Sequence, residues 1–256
     1  YMGANVLFKS TDFGKTWEKI SGDLTTNDAA KLKDAGGPVS NENSSAEYHC
    51  TIISVNESPA KAGVIWAGTD DGNLQVTTDG GKNWTNVTKN VSGLGANSPV
   101  SHVEPSVTGA DVAYISFDRH MLDDYKPYVF KTTDGGKSFT NITGNLPSSA
   151  YVHVLKEDPK NTGLLYAGTE LGLFATYDGG KTWVELGLKN LPRVAVHDIF
   201  VHPRENDLIL GTHGRSIWVM DDITPLEQMN DAVMNSNVHL FDVRKPSCGA
   251  LGAINR

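Results

Sequence analysis

Aspartate and histidine are the residue types in this sequence that could do chemistry, and their spacing decides which chemistry is open to them. The chain contains eight histidines and two cysteines, but they form no His-Glu-x-x-His motif, no i, i+4 histidine pair and no Cys-x-x-Cys pair. Asp70-Asp71-Gly72-Asn73 is too short for a calcium-binding EF-hand loop, because no glutamate stands at the twelfth position. The sequence therefore predicts no metal site and no cofactor.

Four aspartates recur in a repeated turn with the pattern Ser/Thr-x-Asp-x-Gly-Lys-x-aromatic. Each copy stands between two β-prone runs, so the carboxylate can accept turn N–H groups and the glycine can adopt a positive φ. We therefore predict a structural role for these residues, with each closing aromatic packed over its own hairpin. The repeated residues are Asp12, Gly14 and Trp17, then Asp79, Gly81 and Trp84, then Asp134, Gly136 and Phe139, and finally Asp178, Gly180 and Trp183.

Each repeated turn joins the last two strands of a longer unit. A pair of strand-like runs precedes most copies, as in Ile52–Val55 followed by Val64–Thr69, and in Val152–Leu155 followed by Leu164–Thr169. Each unit is thus a four-stranded antiparallel meander, with strands A, B, C and D, of about 40 to 50 residues. This pattern is typical of a β-propeller blade, so the sequence predicts an all-β fold with very little helix.

Counting these units predicts a partial propeller of about five blades over residues 1–229. The predicted segments are a partial blade at 1–25 with strands C and D only, a loop insertion at 22–46, and further blades at 49–91, 98–146, 150–191 and 195–229. We expect residues 230–256 to form a C-terminal extension, with a candidate closing strand at 238–241.

Composition excludes several function classes. The 39% of hydrophobic residues is enough for a core, while 22 Lys and Arg against 30 Asp and Glu give a net charge of −8. We expect no nucleic-acid partner, because such surfaces need clustered cations. No apolar run is long enough for a membrane helix, so we expect no transmembrane segment. Cys50 and Cys248 could form a disulfide or remain two buried thiols, and their spacing does not decide between these states.

The four repeated turns resemble Asp boxes, the bacterial neuraminidase (BNR) repeats of sialidases, two-propeller xyloglucanases and sortilin-type receptors. Tyr166–Gly172 and Gly211–Leu226 resemble a narrower group, the secreted bacterial proteins described as sortilin N-terminal domain-containing or as glycosyl hydrolases with BNR repeats. This resemblance spans residues 5–243. It implies a secreted, periplasmic or cell-surface bacterial protein, and a chain that is the later part of a longer propeller or of an assembly.

The resemblance does not itself imply hydrolysis, because enzymes and non-enzymes share Asp boxes. Sialidases resemble one another in an Arg-Ile-Pro motif that this sequence lacks, and the cysteine-rich module of sortilins is also absent from it. The favoured hypothesis is a non-enzymatic extracellular binding or assembly propeller with a protein or glycan partner. The alternative is a glycoside hydrolase, or a fragment of one, of the xyloglucanase or sialidase type. An acidic pair about 5 to 9 Å apart across a cleft would distinguish the two.

Consecutive connections in a meander alternate between its ends, so the B–C and D–A connections should share the face opposite the Asp boxes. The candidate ligand-binding residues there are Asp70, Asp71, Arg119, His120, Glu170, Arg193, His213 and Arg215. His49, His102, His153 and His197 lie at or near the starts of the A strands. The arginines could bind a carboxylate-bearing ligand, or they could pair with neighbouring acids such as Asp118 and Asp221.

Overall fold

The computed structural model describes residues 1–33, 49–187 and 190–242, and these fold into five antiparallel sheets in chain order. Sheet 1 contains β1 (Met2–Gly3), β2 (Leu7–Lys9) and β3 (Glu18–Lys19). Sheet 2 contains β4 (Ile52–Glu57), β5 (Ile65–Thr69), β6 (Leu74–Thr77) and β7 (Thr85–Asn86). Sheet 3 contains β8 (His102–Pro105), β9 (Ala113–Phe117), β10 (Tyr128–Thr132) and β11 (Thr140–Asn141). The fold is nearly all β, as the sequence predicted.

The two remaining sheets complete the series. Sheet 4 contains β12 (Val152–Glu157), β13 (Leu165–Thr169), β14 (Gly172–Thr176) and β15 (Val184–Glu185). Sheet 5 contains β16 (Val196–Val201), β17 (Leu208–Thr212) and β18 (Ile217–Met220) and is followed by the short helices α1 (Thr224–Glu227) and α2 (Asp231–Met234). No helix within the described part of the chain is long and apolar enough to cross a membrane.

Sheet 1 has one more strand than the two expected from the sequence. Strand β1 pairs antiparallel with β2, and the Ile52 N–H of sheet 2 donates a hydrogen bond to the Ala4 carbonyl (2.8 Å). Gly3 also lies directly against Ile52, where an added Cβ would be only 2.9 Å from the Ile52 Cβ. A two-residue Met-Gly strand has no β-prone pattern of its own, so contact with sheet 2 is what holds it in place.

The candidate closing strand at 238–241 does not form. Residues 237–242 have no strand hydrogen bonding, and both Val238 and Leu240 are almost fully exposed. The segment is instead held by Gln228, whose Oε1 accepts from the Asp242 N–H (3.0 Å) and whose Nε2 donates to the Asp242 carbonyl (3.0 Å). Cys248 and residues 34–46 of the predicted loop insertion at 22–46 lie outside the described residues, while Cys50 is buried.

The core lies between neighbouring sheets rather than inside any one of them. Its four clusters of buried side chains join sheets 1 and 2, 2 and 3, 3 and 4, and 4 and 5. The first includes Leu7 and Ile65, and the third includes Ile142 and Trp183. Each sheet therefore depends on its neighbour to bury its apolar residues, as in other repeat architectures.

The four Asp boxes share one hydrogen-bond pattern. In sheet 2, Thr77 Oγ1 donates to Asp79 Oδ1 (2.8 Å) and accepts from the Gly81 N–H (3.0 Å). Asp79 Oδ1 also accepts from the Asn83 N–H (2.9 Å), and the same contacts recur around Asp12, Asp134 and Asp178. These carboxylates are occupied in holding the turn.

The closing aromatics of sheets 2 to 4 pack against the preceding sheet, a contact that the sequence did not predict. Trp183 Nε1 donates to the Ile142 carbonyl of sheet 3 (3.0 Å). Trp84 Nε1 donates both to the Ile20 carbonyl (3.2 Å) and to the Gly81 carbonyl of its own turn (3.1 Å). In sheets 2 to 4 the aromatic of the Asp box thus connects neighbouring sheets as well as covering its own hairpin.

Candidate functional site

The B–C and D–A connections of sheets 2 to 5 meet at one end of the molecule, which we call the loop face. In three sheets, the first residue after strand B donates its N–H to the residue that precedes strand A. These bonds join Asp70 to Thr51 (3.0 Å), Glu170 to Tyr151 (3.1 Å) and His213 to Ala195 (2.9 Å). The Asp boxes, which join strands C and D, occupy the opposite end of the strands.

A β-bulge in strand A places two histidines on the loop face. Strands β12 and β16 each change register by one residue near their starts, between Val152 and Val154 and between Val196 and Asp198. The extra residues are His153 and His197, which therefore hold equivalent positions in neighbouring sheets. A bulge turns the side chain of the inserted residue away from the regular alternation.

Six aromatic and imidazole rings follow one another across the loop face of sheets 3, 4 and 5. We call this set the ring row, and it comprises Tyr125, His120, Tyr151, His153, His197 and His213. Tyr151 stacks on His120, with ring centroids 4.8 Å apart, and meets His153 edge-on at 5.1 Å. His153 stacks on His197 at 3.9 Å, and His197 meets His213 at 5.1 Å. The rings are thus in continuous contact between three sheets.

Two carboxylates contact the ring row. Glu170 Oε2 lies 3.1 Å from His153 Nε2, and Asp118 Oδ1 lies 2.7 Å from His120 Nδ1. Burial and a hydrogen bond to Glu170 raise the pKa of Tyr151 to about 12. Burial, followed by the proximity of His153 and His213, lowers the pKa of His197 below its usual 6.5. Both shifts favour the uncharged form of the ring, at Tyr151 and at His197.

The ligand atoms of His153, Glu170 and His197 all lie within 4.8 Å of one another. These are the described residues that could hold a metal ion, although the sequence predicted no such site. The three residues are 17 and 27 positions apart along the chain and come together only because neighbouring sheets pack side by side. No local spacing motif could reveal them.

Three of the predicted ligand-binding residues, His120, Glu170 and His213, belong to the ring row or contact it. The tyrosines at 125 and 151 were not predicted. A tyrosine just before strand A, with a histidine two positions later, is the feature of the sequence that could have indicated Tyr151.

The three arginines predicted to bind a ligand do not belong to the ring row. Arg119 Nε pairs with Asp124 Oδ2 (3.1 Å), and its Nη1 donates to Ser98, so this side chain braces two loops. Arg193 is exposed and lies 3.7 Å from Glu185, which belongs to the outer strand β15. Arg215 is also exposed, and it donates to the Gly214 carbonyl (3.3 Å).

Asp70 and Asp71 lie in sheet 2, apart from the contacts of the ring row. Asp70 accepts from the Thr51 N–H (2.7 Å) and faces His49 at 3.3 Å, and burial raises its pKa. Asp71 is buried and accepts from both the N–H and the hydroxyl of Thr26, at 2.7 Å each. Asp71 thus holds the segment that follows sheet 1 against sheet 2.

Comparisons with known proteins agree with this architecture. The BNR/Asp-box repeat family model matches residues 8–19, which contain the whole of the first Asp box. A search of curated proteins finds no match. An ancestral GH74 enzyme is 19% identical over 82% of this chain and 26% of its own, with a TM-score of 0.56. The GH74 xyloglucanase from Xanthomonas campestris is 18% identical over 67% of this chain and 29% of its own, with a TM-score of 0.54.

A third solved structure, the extracellular domain of BT4673 from B. thetaiotaomicron, is 16% identical over 84% of this chain and 25% of its own, with a TM-score of 0.56. The chain thus spans about a quarter of the length of the solved structures it resembles. At these identities the likeness concerns the fold. Together with the four Asp-box turns and the five meander sheets, it shows that the chain has a β-propeller fold with Asp-box turns.

Proposed function

We propose that this chain is part of a non-catalytic binding propeller that holds a protein or glycan partner against the loop face. The observation that carries the proposal is the ring row, which joins three sheets by ring contacts between 3.9 and 6.2 Å. Tyrosine and histidine rings offer flat apolar faces with polar edges. They lose little conformational entropy on binding, which is why tyrosine is enriched in recognition surfaces.

The charges of this face favour a partner that donates hydrogen bonds. Asp118 and Glu170 can accept from sugar hydroxyls or from peptide N–H groups, whereas Arg119 is already engaged by Asp124. The net charge of −8 disfavours an anionic ligand further. We therefore favour the structural interpretation of Arg119 over the binding of a carboxylate-bearing ligand.

We also propose that the protein acts outside the cytoplasm, as a secreted, periplasmic or surface-attached bacterial protein. Two features support this location. The Asp-box sequences resemble those of exported bacterial proteins, and one structural neighbour is an extracellular domain. Detection of the native protein in a cell fractionation experiment would test the proposal, and recovery in the cytoplasmic fraction alone would contradict it.

The binding proposal is tested by screening the full chain against a glycan microarray and a peptide array, with xyloglucan oligosaccharides as one defined probe. The test variant combines Tyr125→Ala with Tyr151→Ala. The matched control is Phe13→Ala, because Phe13 is a fully exposed aromatic in an Asp box at the opposite end. We expect the double variant to lose at least about tenfold in affinity for any bound probe, because interface tyrosines are common hot spots.

Two results would overturn the proposal. Equal losses in the double variant and in Phe13→Ala would mean that the rings of the loop face do not form the binding surface. Release of reducing ends from xyloglucan by the wild-type chain would favour the alternative, in which the chain is a glycoside hydrolase or a fragment of one.

A further inference from the structure

We propose that His153, Glu170 and His197 bind a divalent transition-metal ion on the loop face, between sheets 4 and 5. Their ligand atoms lie within 4.8 Å of one another, and His153 Nε2 is already 3.1 Å from Glu170 Oε2. Two imidazole nitrogens and one carboxylate oxygen are a common ligand set for zinc. The inference goes beyond the proposed function and does not depend on any partner.

The backbone fixes the spacing of the three ligands. His153 and His197 are the bulge residues at the same register of adjacent A strands, next to the pairs Val152–Thr169 and Val196–Thr212. Glu170 directly follows Thr169, and its N–H is bonded to the residue before strand A (3.1 Å). The three Cα positions are therefore set by sheet hydrogen bonds. Ligands held on strands in this way are positioned more precisely than ligands on free loops.

The three side chains supply the kinds of ligand atom that zinc takes in proteins. Metal ligands must be deprotonated, so imidazoles bind as neutral rings and carboxylates as anions. His153 and His197 offer two imidazole nitrogens, and Glu170 offers one carboxylate oxygen.

Small side-chain movements would complete the site. Zinc–ligand bonds are about 2.0 to 2.2 Å long, so the three atoms must draw together and the stacked rings must tilt toward one ion. His197 is exposed, whereas His153 and Glu170 are partly buried, so His197 has the most freedom to rotate. Three protein ligands leave at least one coordination position of the ion open. Because the site lies on the loop face, a solvent or partner atom could bind there.

The experiment is titration of the metal-free full chain with Zn²⁺ by calorimetry, with stoichiometry checked by native mass spectrometry. We expect one ion per chain and at least tenfold weaker binding in both His197→Ala and Glu170→Gln. The matched control is His49→Ala, because His49 also faces a carboxylate (Asp70, 3.3 Å) but lies in sheet 2 without a second imidazole. The zinc affinity of His49→Ala should equal that of the wild type. Circular dichroism verifies that each variant is folded.

A second measurement needs no variant. X-ray absorption of the zinc-loaded wild type should show two imidazole ligands and at least one oxygen ligand. The proposal is overturned if the wild type binds no zinc at a zinc concentration of about 1 mM, which is far above the dissociation constant of a specific site. It is also overturned if the spectrum contains no imidazole scattering, or if His49→Ala weakens binding as much as His197→Ala does. Partner binding is not read out in either measurement, so these outcomes are independent of the proposed function.

Discussion

At the scale of single residues, the burial of the Asp-box aromatic depends on the sheet that precedes it. Trp183 is 3% exposed and packs with Ile142 of sheet 3, whereas Trp17 in sheet 1 is 43% exposed. The two tryptophans occupy the same position of the same motif. The difference in their surroundings therefore arises from the neighbouring sheet and not from the local sequence.

This difference predicts unequal costs for the same substitution. Trp183→Ala should lower the free energy of unfolding by about 3 kcal/mol or more, as for other buried aromatics. Trp17→Ala should cost less than about 1 kcal/mol, because nearly half of this residue is in solvent and it lies outside the four buried clusters. Urea denaturation of the two variants measures both values. Equal costs would mean that the aromatic stabilises only its own hairpin.

The Asp-box carboxylates predict an acid dependence of stability. Hydrogen bonds from the residue four positions later lower the pKa of Asp12, Asp79 and Asp134 from 3.8 to about 2. A carboxylate whose folded pKa is depressed stabilises the protein fully above its unfolded pKa, and this stabilisation is lost as the pH falls through the folded value. The free energy of unfolding should therefore decrease between about pH 4 and pH 2.

The control for this prediction is Asp79→Asn, which keeps one acceptor oxygen but cannot titrate. Urea unfolding measured at intervals from pH 6 to pH 2 should show a shallower decrease for this variant than for the wild type. Parallel curves for the two proteins would show that Asp79 does not contribute to the acid dependence.

At the scale of elements, the second glycine of each Asp-box turn in sheets 2 to 4 is a contact point between neighbouring sheets. A Cβ at Gly180 would lie 2.6 Å from both the Cβ and the carbonyl oxygen of Ile142 in sheet 3. Gly179, the preceding residue of the same turn, has a similar positive φ (75° against 89°) but open space around it. Substitutions at these two glycines therefore distinguish the cost of backbone strain from the cost of disturbing the contact between sheets.

Gly179→Ala should therefore cost only the backbone strain, about 1 to 2 kcal/mol. Gly180→Ala should cost that strain and a further 1 to 3 kcal/mol or so for the forced separation from Ile142. Thermal and urea unfolding of the two variants tests the difference. If both lose the same stability, the turn does not need to approach sheet 3 closely.

The loops of sheet 3 give a second prediction at this scale. The Arg119 side chain links Asp124 (3.1 Å) to Ser98, whereas the Arg215 side chain is exposed and donates to the carbonyl of the neighbouring Gly214 (3.3 Å). Arg119→Ala should lower the melting temperature by several degrees, because it breaks a partly buried ion pair and leaves Asp124 with the Tyr128 hydroxyl (2.8 Å) as its side-chain donor. Arg215→Ala should have a melting temperature within about one degree of that of the wild type. A larger loss in Arg215→Ala would contradict this assignment.

At the scale of the whole molecule, the repeat explains what the sequence could predict. The recurring turns and alternating strand patterns predicted the all-β fold and the succession of meanders, because these depend on residues close together in the chain. Contacts between sheets could not be predicted in the same way. The reach of Trp183 to Ile142 and the pairing of β1 with β2 both depend on how one sheet sits beside the next.

The candidate site illustrates the same limit. His120, Glu170 and His213 could be placed on the loop face from strand alternation alone. Two one-residue bulges and the packing of three sheets then bring Tyr151, His153 and His197 into contact. A bulge leaves no clear trace in a run such as Val152-His153-Val154, which alternates like a regular strand.

The central claim is that the ring row of the loop face is the partner-binding surface. The most direct measurement is a crystal structure of the chain with a glycan or peptide that binds in the array screen. The account predicts ligand density across sheets 3 to 5, in contact with Tyr151 and reaching toward Tyr125 or His213. Ligand density at the Asp-box end, with the ring row left in solvent, would contradict it.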